Sequence, residues 1–366
     1  HDSPSPYQLF LPKNTNKKFN GEDILIVSHD LSKSGAPRLV VELARYLDQA
    51  GHYVTVVSPT DGPVRNELND LNIGVIVDSL ILTNDLNTVN FYKNFDKIIL
   101  NTIVTWPVII NLYKYTSIYL YAHEGELIDE IAKANPAFTE SLSYLDGIWA
   151  GSELSKKKLE KHTNNEVRIF LYGIQDSFQK KTNKKNNNKK IQISVFGSYE
   201  PRKGQDILIK AIKILPKRYR DLCELNLHGR QHDMSFYKEL ERLSKKLPNV
   251  FLKDDANYLK NLLDADLIVV SSREEPLSIV GIEALINFKP LILSKNVGLS
   301  EYLADNFSCF LIDNLSEKSM AEKIIQAIDS KDSYEEITNR GRVVYENKFS
   351  TNIFLKNLLK NLDYKQ

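Results

Sequence analysis

From Asp23 onward, short β-branched runs alternate with amphipathic stretches of about ten to fifteen residues. ILIVSHD leads into RLVVELARYLDQAG, YVTVVSP into VRNELNDLN, and GVIVD follows. A chain that switches repeatedly between the strand and helix periods buries its strands in a parallel sheet and covers them with helices. The pattern runs on through KIILNT, SIYLYAHE, GIWAGS and VRIFLYG, then stops at residues 179–190, QKKTNKKNNNKK, which hold nothing apolar and cannot join a core. It restarts at QISVFGS and continues through LNLHGR, NVFLKD, ADLIVVSS and KPLILSK. The simplest organisation is two doubly wound halves, residues 23–174 and 191–346, joined by a polar linker over 175–190. A helical tail over about 347–366 adds no strand and is expected to pack back across the first half. Residues 1–22 are polar and Pro-rich, and read as a tether or as the edge of a longer, multidomain polypeptide.

Composition narrows the partners. With 366 residues the chain has room for two domains, and 42% hydrophobic against 26% charged residues suits a soluble globular protein. A net charge of +1 gives no global pull toward nucleic acid, which is not an expected partner. Cys223 and Cys309 sit in apolar segments without metal-ligand spacing and read as buried thiols in a reducing compartment. The most apolar stretch, IILNTIVTWPVIINLY, is interrupted by Asn101, Thr102, Thr105 and Pro107, short of the roughly 18 to 20 residues of a membrane span. The expected location is cytoplasmic, with the inner face of a membrane as a peripheral option.

Open α/β sheets bind ligands at the carboxyl ends of their strands, so the strand-to-helix turns are the candidate sites. Four stand out. In SHDLSKSGAPRLVV, residues 28–41, Gly35 permits a tight backbone and Pro37 suits a first helical turn, so the amides near Ser34, Gly35 and Ala36 are available to a phosphate or a polar acceptor. An ordinary βα connection would read the same way. GxGxxG and GxxxxGK[ST] are both absent, which removes support for nicotinamide enzymes and P-loop NTPases. In SIYLYAHE, His123 follows a strand buried on both faces and projects where a sugar hydroxyl or a reacting centre would lie, although lone histidines are more often structural.

The third turn, ISVFGSYEPRKGQDILIKAI, places Arg202 and Lys203 beside a helix start, where positive charge is unfavourable unless an anion is present. The fourth, SSREEPLSIVGIEAL, puts Glu275 at the end of a strand and Glu283 inside the next helix. Between them lie the first-turn amides of Leu277, Ser278, Ile279 and Val280. Carboxylates suit hydroxyls and amides suit phosphate, a combination fitted to a sugar nucleotide.

The E-x7-E spacing in EPLSIVGIEAL is similar to the signature of retaining nucleotide-sugar glycosyltransferases of the GT-B fold, glycosyltransferase family 4 in particular. PRKGQDILIKAI resembles that family's phosphate-binding turn, KPLILSKNVGLSEYL its following strand and turn, and LYGIQDSF its interdomain junction. The likeness spans residues 23 to about 360. It implies an α/β protein of two Rossmann-like parallel-sheet domains facing a central cleft, the first on the acceptor side and the second binding the donor. It also implies roles. Arg202 and Lys203 neutralise the donor diphosphate, Glu283 holds ribose hydroxyls, Glu275 holds donor-sugar hydroxyls, and His123 lies near the donor sugar. The first loop, Ser34 to Ala36, contacts phosphate or acceptor, and Glu274 is the lesser candidate by spacing. One departure is Gly197-Ser198, where the family often has Gly-Arg, and Arg202 is the expected substitute.

The implied reaction moves a sugar from a UDP- or GDP-sugar to a glycan, glycolipid or protein-linked hydroxyl with retention, in surface glycan or glycoconjugate synthesis, with no cofactor and no metal. Asp264-Ala265-Asp266, the one formal DxD, leads straight into a strand and reads as helix termination. Two rivals are a sugar-nucleotide epimerase or phosphorylase-like GT-B enzyme and a non-catalytic sugar-nucleotide-binding module of a larger assembly. The cationic runs ELSKKKLEKH and KKTNKKNNNKK suit anionic lipid if the acceptor is lipid-linked, but such runs are usually solvated.

Overall fold

A computed structural model of the protein describes residues 7–12, 21–33, 35–83, 86–178, 190–254 and 256–363. The chain divides into two units, His1–Gly173 with Phe354–Gln366, and Ile174–Ile353. In the first unit the β-branched runs form β1 (Tyr7–Phe10), β2 (Asp23–Val27), β3 (Tyr53–Ser58), β4 (Gly74–Asp78), β5 (Lys97–Leu100), β6 (Ser117–Ala122), β7 (Gly147–Ala150) and β8 (Val167–Ile169). Their spatial order is β1-β4-β3-β2-β5-β6-β7-β8. β2 through β8 are parallel, and the central residues of β2 through β7 are buried, as a sheet covered on both faces requires.

The opening stretch is not a tether throughout. Tyr7–Phe10 pairs antiparallel with β4, Tyr7 opposite Asp78 and Phe10 opposite Val75. The strand covers an edge that β4 would otherwise present, and the Arg65 guanidinium lies 4.2 Å from the Phe10 ring centroid.

The second unit holds β9 (Ile191–Phe196), β10 (Cys223–His228), β11 (Val250–Lys253), β12 (Leu267–Val270), β13 (Leu291–Ser294) and β14 (Phe310–Ile312), ordered β11-β10-β9-β12-β13-β14 and parallel. Cys223 and Cys309 are buried and unbridged, and burial raises their thiol pKa values to about 11 and about 12. Segment 179–189 of the expected linker lies outside the described residues. Just before it, Asp176 is held by the Arg342 guanidinium.

The tail returns to the first unit at Phe354, within the helix Thr351–Asp363. Phe354, Leu358 and Leu362 are buried at helical spacing. Phe354 stacks on Phe170 with centroids 4.7 Å apart. Gly173 makes this possible, because a Cβ there would lie 2.3 Å from Phe354 Cβ.

In each sheet the winding reverses once, between β2 and β5 in the first and between β9 and β12 in the second. Chains leaving adjacent strands toward opposite faces open a crevice at such a point. In the second unit the turn after β9 and the turn after β12 approach closely at Gly204, whose φ is +67° and whose Cβ, if present, would lie 2.1 Å from Ser271 O. Replacing Gly204 with alanine therefore combines left-handed backbone strain with a backbone clash. We expect a loss of about 2 kcal/mol or more in urea unfolding; a variant within 0.5 kcal/mol of wild type, on the order of a neutral surface change, would contradict the packing of these turns.

Candidate functional site

The turn after β9 forms a short 3-10 helix, Pro201–Lys203, closed by Gly204, from which the helix Gln205–Ile214 departs. Lys203 is pinned by its backbone, since Ser271 Oγ donates to Lys203 O at 2.8 Å. Its Nζ lies 3.0 Å from Glu275 Oε1, with only 16% and 13% of the two side chains exposed. Ser272 Oγ donates to the other oxygen of Glu275 at 2.7 Å. The Glu275 backbone is bridged to Val297, with Gly298 N donating to Glu275 O at 2.8 Å. The carboxylate is thus fixed by a lysine, a buried serine and the neighbouring loop.

Three residues on, Ser278 caps the helix Ile279–Ile286, its Oγ accepting from Gly281 N at 3.2 Å. The cap uses the third amide, so Ile279 and Val280 carry the first-turn N–H groups without an intrahelical acceptor. The Leu277 side chain is buried and anchors the turn. Glu283, 9% exposed, lies on this helix and accepts from the Tyr258 hydroxyl. The site thus brings Lys203, Glu275, the Leu277–Val280 turn and Glu283 onto two neighbouring strand ends.

Arg202 is placed differently. Its side chain is 46% exposed and its guanidinium donates to Glu200 Oε1 at 2.9 Å and to Glu274 O at 3.3 Å. Glu200 also accepts from Ser198 Oγ at 2.8 Å. Both the residue standing where the family often has arginine and its expected substitute are therefore tied to Glu200. The cation that stitches the turns together is Arg273, overlooked in the sequence although it stands two positions before Glu275. It forks onto Asp206 at 2.9 and 2.8 Å and donates to Pro201 O. Burial pushes the Asp206 carboxyl up, but Arg273 together with Lys210 outweighs it and holds the group below its ordinary pKa.

In the first unit, Gly35 and Ala36 open the helix Gly35–Gln49 after β2, while Ser34 lies outside the described residues. Asp30 folds the loop by accepting from Ser32 N and Ser32 Oγ, both at 3.0 Å. His123 follows β6, with Nε2 3.1 Å from Asn101 Oδ1. Because Asn101 Nδ2 donates to Ala36 O at 2.9 Å, its oxygen must face the histidine, so Nε2 carries the proton. The ring packs edge-on to Tyr121 and Tyr172, 4.1 and 5.0 Å between centroids.

Burial, helped by His29, lowers the His123 pKa to about 3, so the imidazole is neutral at pH 7. Among the described residues His123 Nδ1, His29 Nδ1 and Thr102 Oγ1 are buried polar atoms without a partner. Glu124 serves the backbone, accepting from His123 N at 2.8 Å and Ile103 N at 3.3 Å. Burial raises its pKa to about 7 against those amides.

Two other sequence features have structural uses. Asp264 ends the helix Tyr258–Asp264, and Asp266 accepts from Gln192 N at 2.9 Å. In the cationic helix Glu153–Leu159, Lys158 pairs with Glu126 and Asp129 at 2.5 and 2.7 Å, while His162 reaches Asp129 at 2.8 Å. Part of that positive face is therefore neutralised within the protein. No helix among the described residues is long and apolar enough to cross a membrane.

The model for glycosyl transferases group 1 matches residues 175–344, and the model for glycosyl-transferase family 4 matches residues 20–122. An uncharacterized glycosyltransferase of Methanocaldococcus jannaschii is 22% identical over 63% of this chain and 63% of its own length. The poly(ribitol-phosphate) alpha-N-acetylglucosaminyltransferase of Staphylococcus aureus is 29% identical over 43% of this chain and 32% of its own. The match thus spans less than two thirds of either curated relative. In fold, the chain is similar to HepE of Anabaena crystallised with UDP and glucose, with a TM-score of 0.82 at 18% identity over 93% of this chain and 99% of that one. With both halves matched in order and two parallel-sheet units of the expected kind, the chain belongs to glycosyltransferase family 4, glycosyl transferases group 1, and has the GT-B fold.

Proposed function

We propose that the chain transfers a sugar from a nucleoside-diphosphate sugar, UDP- or GDP-linked, to a hydroxyl acceptor with retention of anomeric configuration and without a metal ion. The observation that carries this reading is the Lys203–Glu275 pair, 3.0 Å apart and largely shielded from water, at the point where the second sheet reverses. A diphosphate entering beside it offers Lys203 a stronger partner than one carboxylate, and the amides of Ile279 and Val280 add donors at a helix start. Exchange of partners would leave Glu275, still held by Ser272, to accept from hydroxyls of the donor sugar. Glu283 is then the acceptor for the ribose diol.

In the transfer, the bond from the anomeric carbon to the phosphate oxygen breaks and a bond from that carbon to the acceptor oxygen forms on the same face. The acceptor proton passes to the departing phosphate. The charge that grows is on the diphosphate, where Lys203 and the fixed amides stabilise it, a task that metal ions perform in other sites. His123, neutral at pH 7 with Nε2–H committed to Asn101, suits hydrogen bonding to a hydroxyl rather than charge neutralisation. Support for the donor class comes from HepE of Anabaena, crystallised with UDP-glucose. The name of the staphylococcal relative supports a polymeric acceptor, poly(ribitol-phosphate) in that protein, and we extend that to a glycan, glycolipid or protein-linked hydroxyl in surface glycan or glycoconjugate synthesis.

A thermal-shift screen of UDP, GDP and their sugars in EDTA tests the reading, followed by NMR of the product's anomeric proton. A shift with one nucleotide family and an unchanged anomeric configuration are expected. An inverted product, or transfer abolished by EDTA, would overturn retention or metal independence respectively.

Lys203→Ala should weaken that nucleotide about tenfold or more in calorimetry, the scale of a charge-assisted hydrogen bond. Arg202→Ala, which removes an exposed pair with Glu200, should change it less than about threefold. Equal losses for the two variants would return Arg202 to the site.

Because the His123 pKa falls to about 3 in the folded protein from an ordinary 6.5, the unfolded chain binds more protons as pH drops below 6.5. This histidine therefore favours folding above pH 6.5 and progressively loses that contribution on acidification toward pH 3. Relative to His123→Gln, wild type should lose about 1.4 kcal/mol of stability per pH unit below about 6. Parallel stability curves for the two proteins from pH 7 to 5 would show that the ring is not buried as described.

A further inference from the structure

Glu283 is a carboxylate buried to 9% exposure on an otherwise apolar helix, and its Oε2 accepts from the hydroxyl of Tyr258. Such a group needs donors, because an unmet buried charge is costly. The donor here comes from an independent element. Tyr258 is the first residue of the helix Tyr258–Asp264, which Asn257 starts from a left-handed conformation with φ of 56°. Its ring is held edge-on to Phe196 at the end of β9, with centroids 5.1 Å apart and planes at 74°. Phe196 in turn stacks face to face on His228 at the end of β10, with centroids 4.8 Å apart and planes at 10°. The phenol is therefore aimed by packing that does not involve Glu283, so the contact sets the carboxylate and not the reverse.

We infer that Tyr258 is a positioning residue for the nucleotide: its hydroxyl fixes Glu283 Oε2, and thereby the plane of the carboxylate, for the cis-diol of the donor ribose. This rests on the reading of Glu283 as the ribose acceptor. A diol delivers two hydrogen bonds in a set geometry, and a carboxylate free to rotate would have to be ordered on each binding event. A phenol already holding one oxygen removes that cost, as partners behind a ligating group do generally. In this assignment Tyr258 contributes to binding through Glu283, so its contribution should exist only for nucleotides that carry the diol.

The experiment measures binding of UDP and of 2′,3′-dideoxy-UDP by calorimetry to wild type, Tyr258→Phe, Glu283→Gln and the double variant. Phenylalanine keeps the ring against Phe196, and thermal melts confirm that each variant is folded. We expect Tyr258→Phe to weaken UDP five- to tenfold, to change the dideoxy analogue less than twofold, and to add nothing in the Glu283→Gln background. Equal weakening of both nucleotides would mark Tyr258 as merely structural and overturn the assignment, as would unchanged UDP binding. If wild type takes GDP instead, the same cycle is run with GDP and its dideoxy analogue. A wild-type protein that binds neither nucleotide overturns the donor reading and the assignment together, whereas binding that ignores the tyrosine overturns the assignment alone.

Discussion

The second unit depends on the approach of two backbone turns. β9 and β12 lie side by side, and the chains leaving them meet where Gly204 passes against Ser271 O. Ser271 Oγ then closes on Lys203 O, Arg273 N on Arg202 O, and the Arg273 guanidinium on Asp206. Each contact crosses from one turn to the other. The result is that Lys203 and Glu275, some seventy residues apart in sequence, are held at hydrogen-bond distance. A desolvated ion pair of this kind is a weak source of stability, because the cost of removing both charges from water offsets most of their attraction. Its value is that both side chains are already ordered.

The two switch points carry opposite electrostatics. In the first unit burial disfavours charge: His123 is neutral, and Glu124, its oxygens turned to backbone amides, has its pKa raised to about 7. The polar atoms left over there, Thr102 Oγ1 and the Nδ1 atoms of His29 and His123, are uncharged. Such groups recognise hydroxyls. In the second unit the charges are kept, paired and backed by helix amides, and such groups recognise phosphate. The sugar nucleotide and the hydroxyl acceptor proposed for this chain contain both chemistries.

Much of this was legible in the sequence, for reasons specific to the residues. Runs such as ILIV and LIVV, alternating with amphipathic stretches, read as buried strands, and the polar stretch QKKTNKKNNNKK separates the two alternations. The placement of Glu275 and Glu283 on one strand-end turn and the helix after it was legible because E-x7-E is local. Lys203 was legible because Gly204 follows it at a helix start. What escaped notice was carried by contacts between distant segments. Tyr7–Phe10 is too short to read as a strand without β4 beside it. Asn101, Tyr172 and Tyr258 look like ordinary core residues until folding brings them to His123 and Glu283. Arg202 looked available because nothing local shows that Glu200 would fold back on it.

That last point bears on how the diphosphate is held. Of the three cations on these turns, Arg273 is committed to Asp206 and Pro201 O, and Arg202 is turned to Glu200 and the Glu274 carbonyl. Lys203 is the one whose partner, Glu275, has another use in the proposed reaction. An arginine fork grips an anion in a fixed plane, whereas a lysine is a point charge on a flexible stem. Glycosyl transfer moves negative charge along the diphosphate as the anomeric bond lengthens, and a point charge can follow that motion while the rigid amides of Ile279 and Val280 do not move. On the proposed reading the absence of an arginine at Ser198 is no defect, because a fork there would fix the leaving group where the substrate sits rather than where the charge develops.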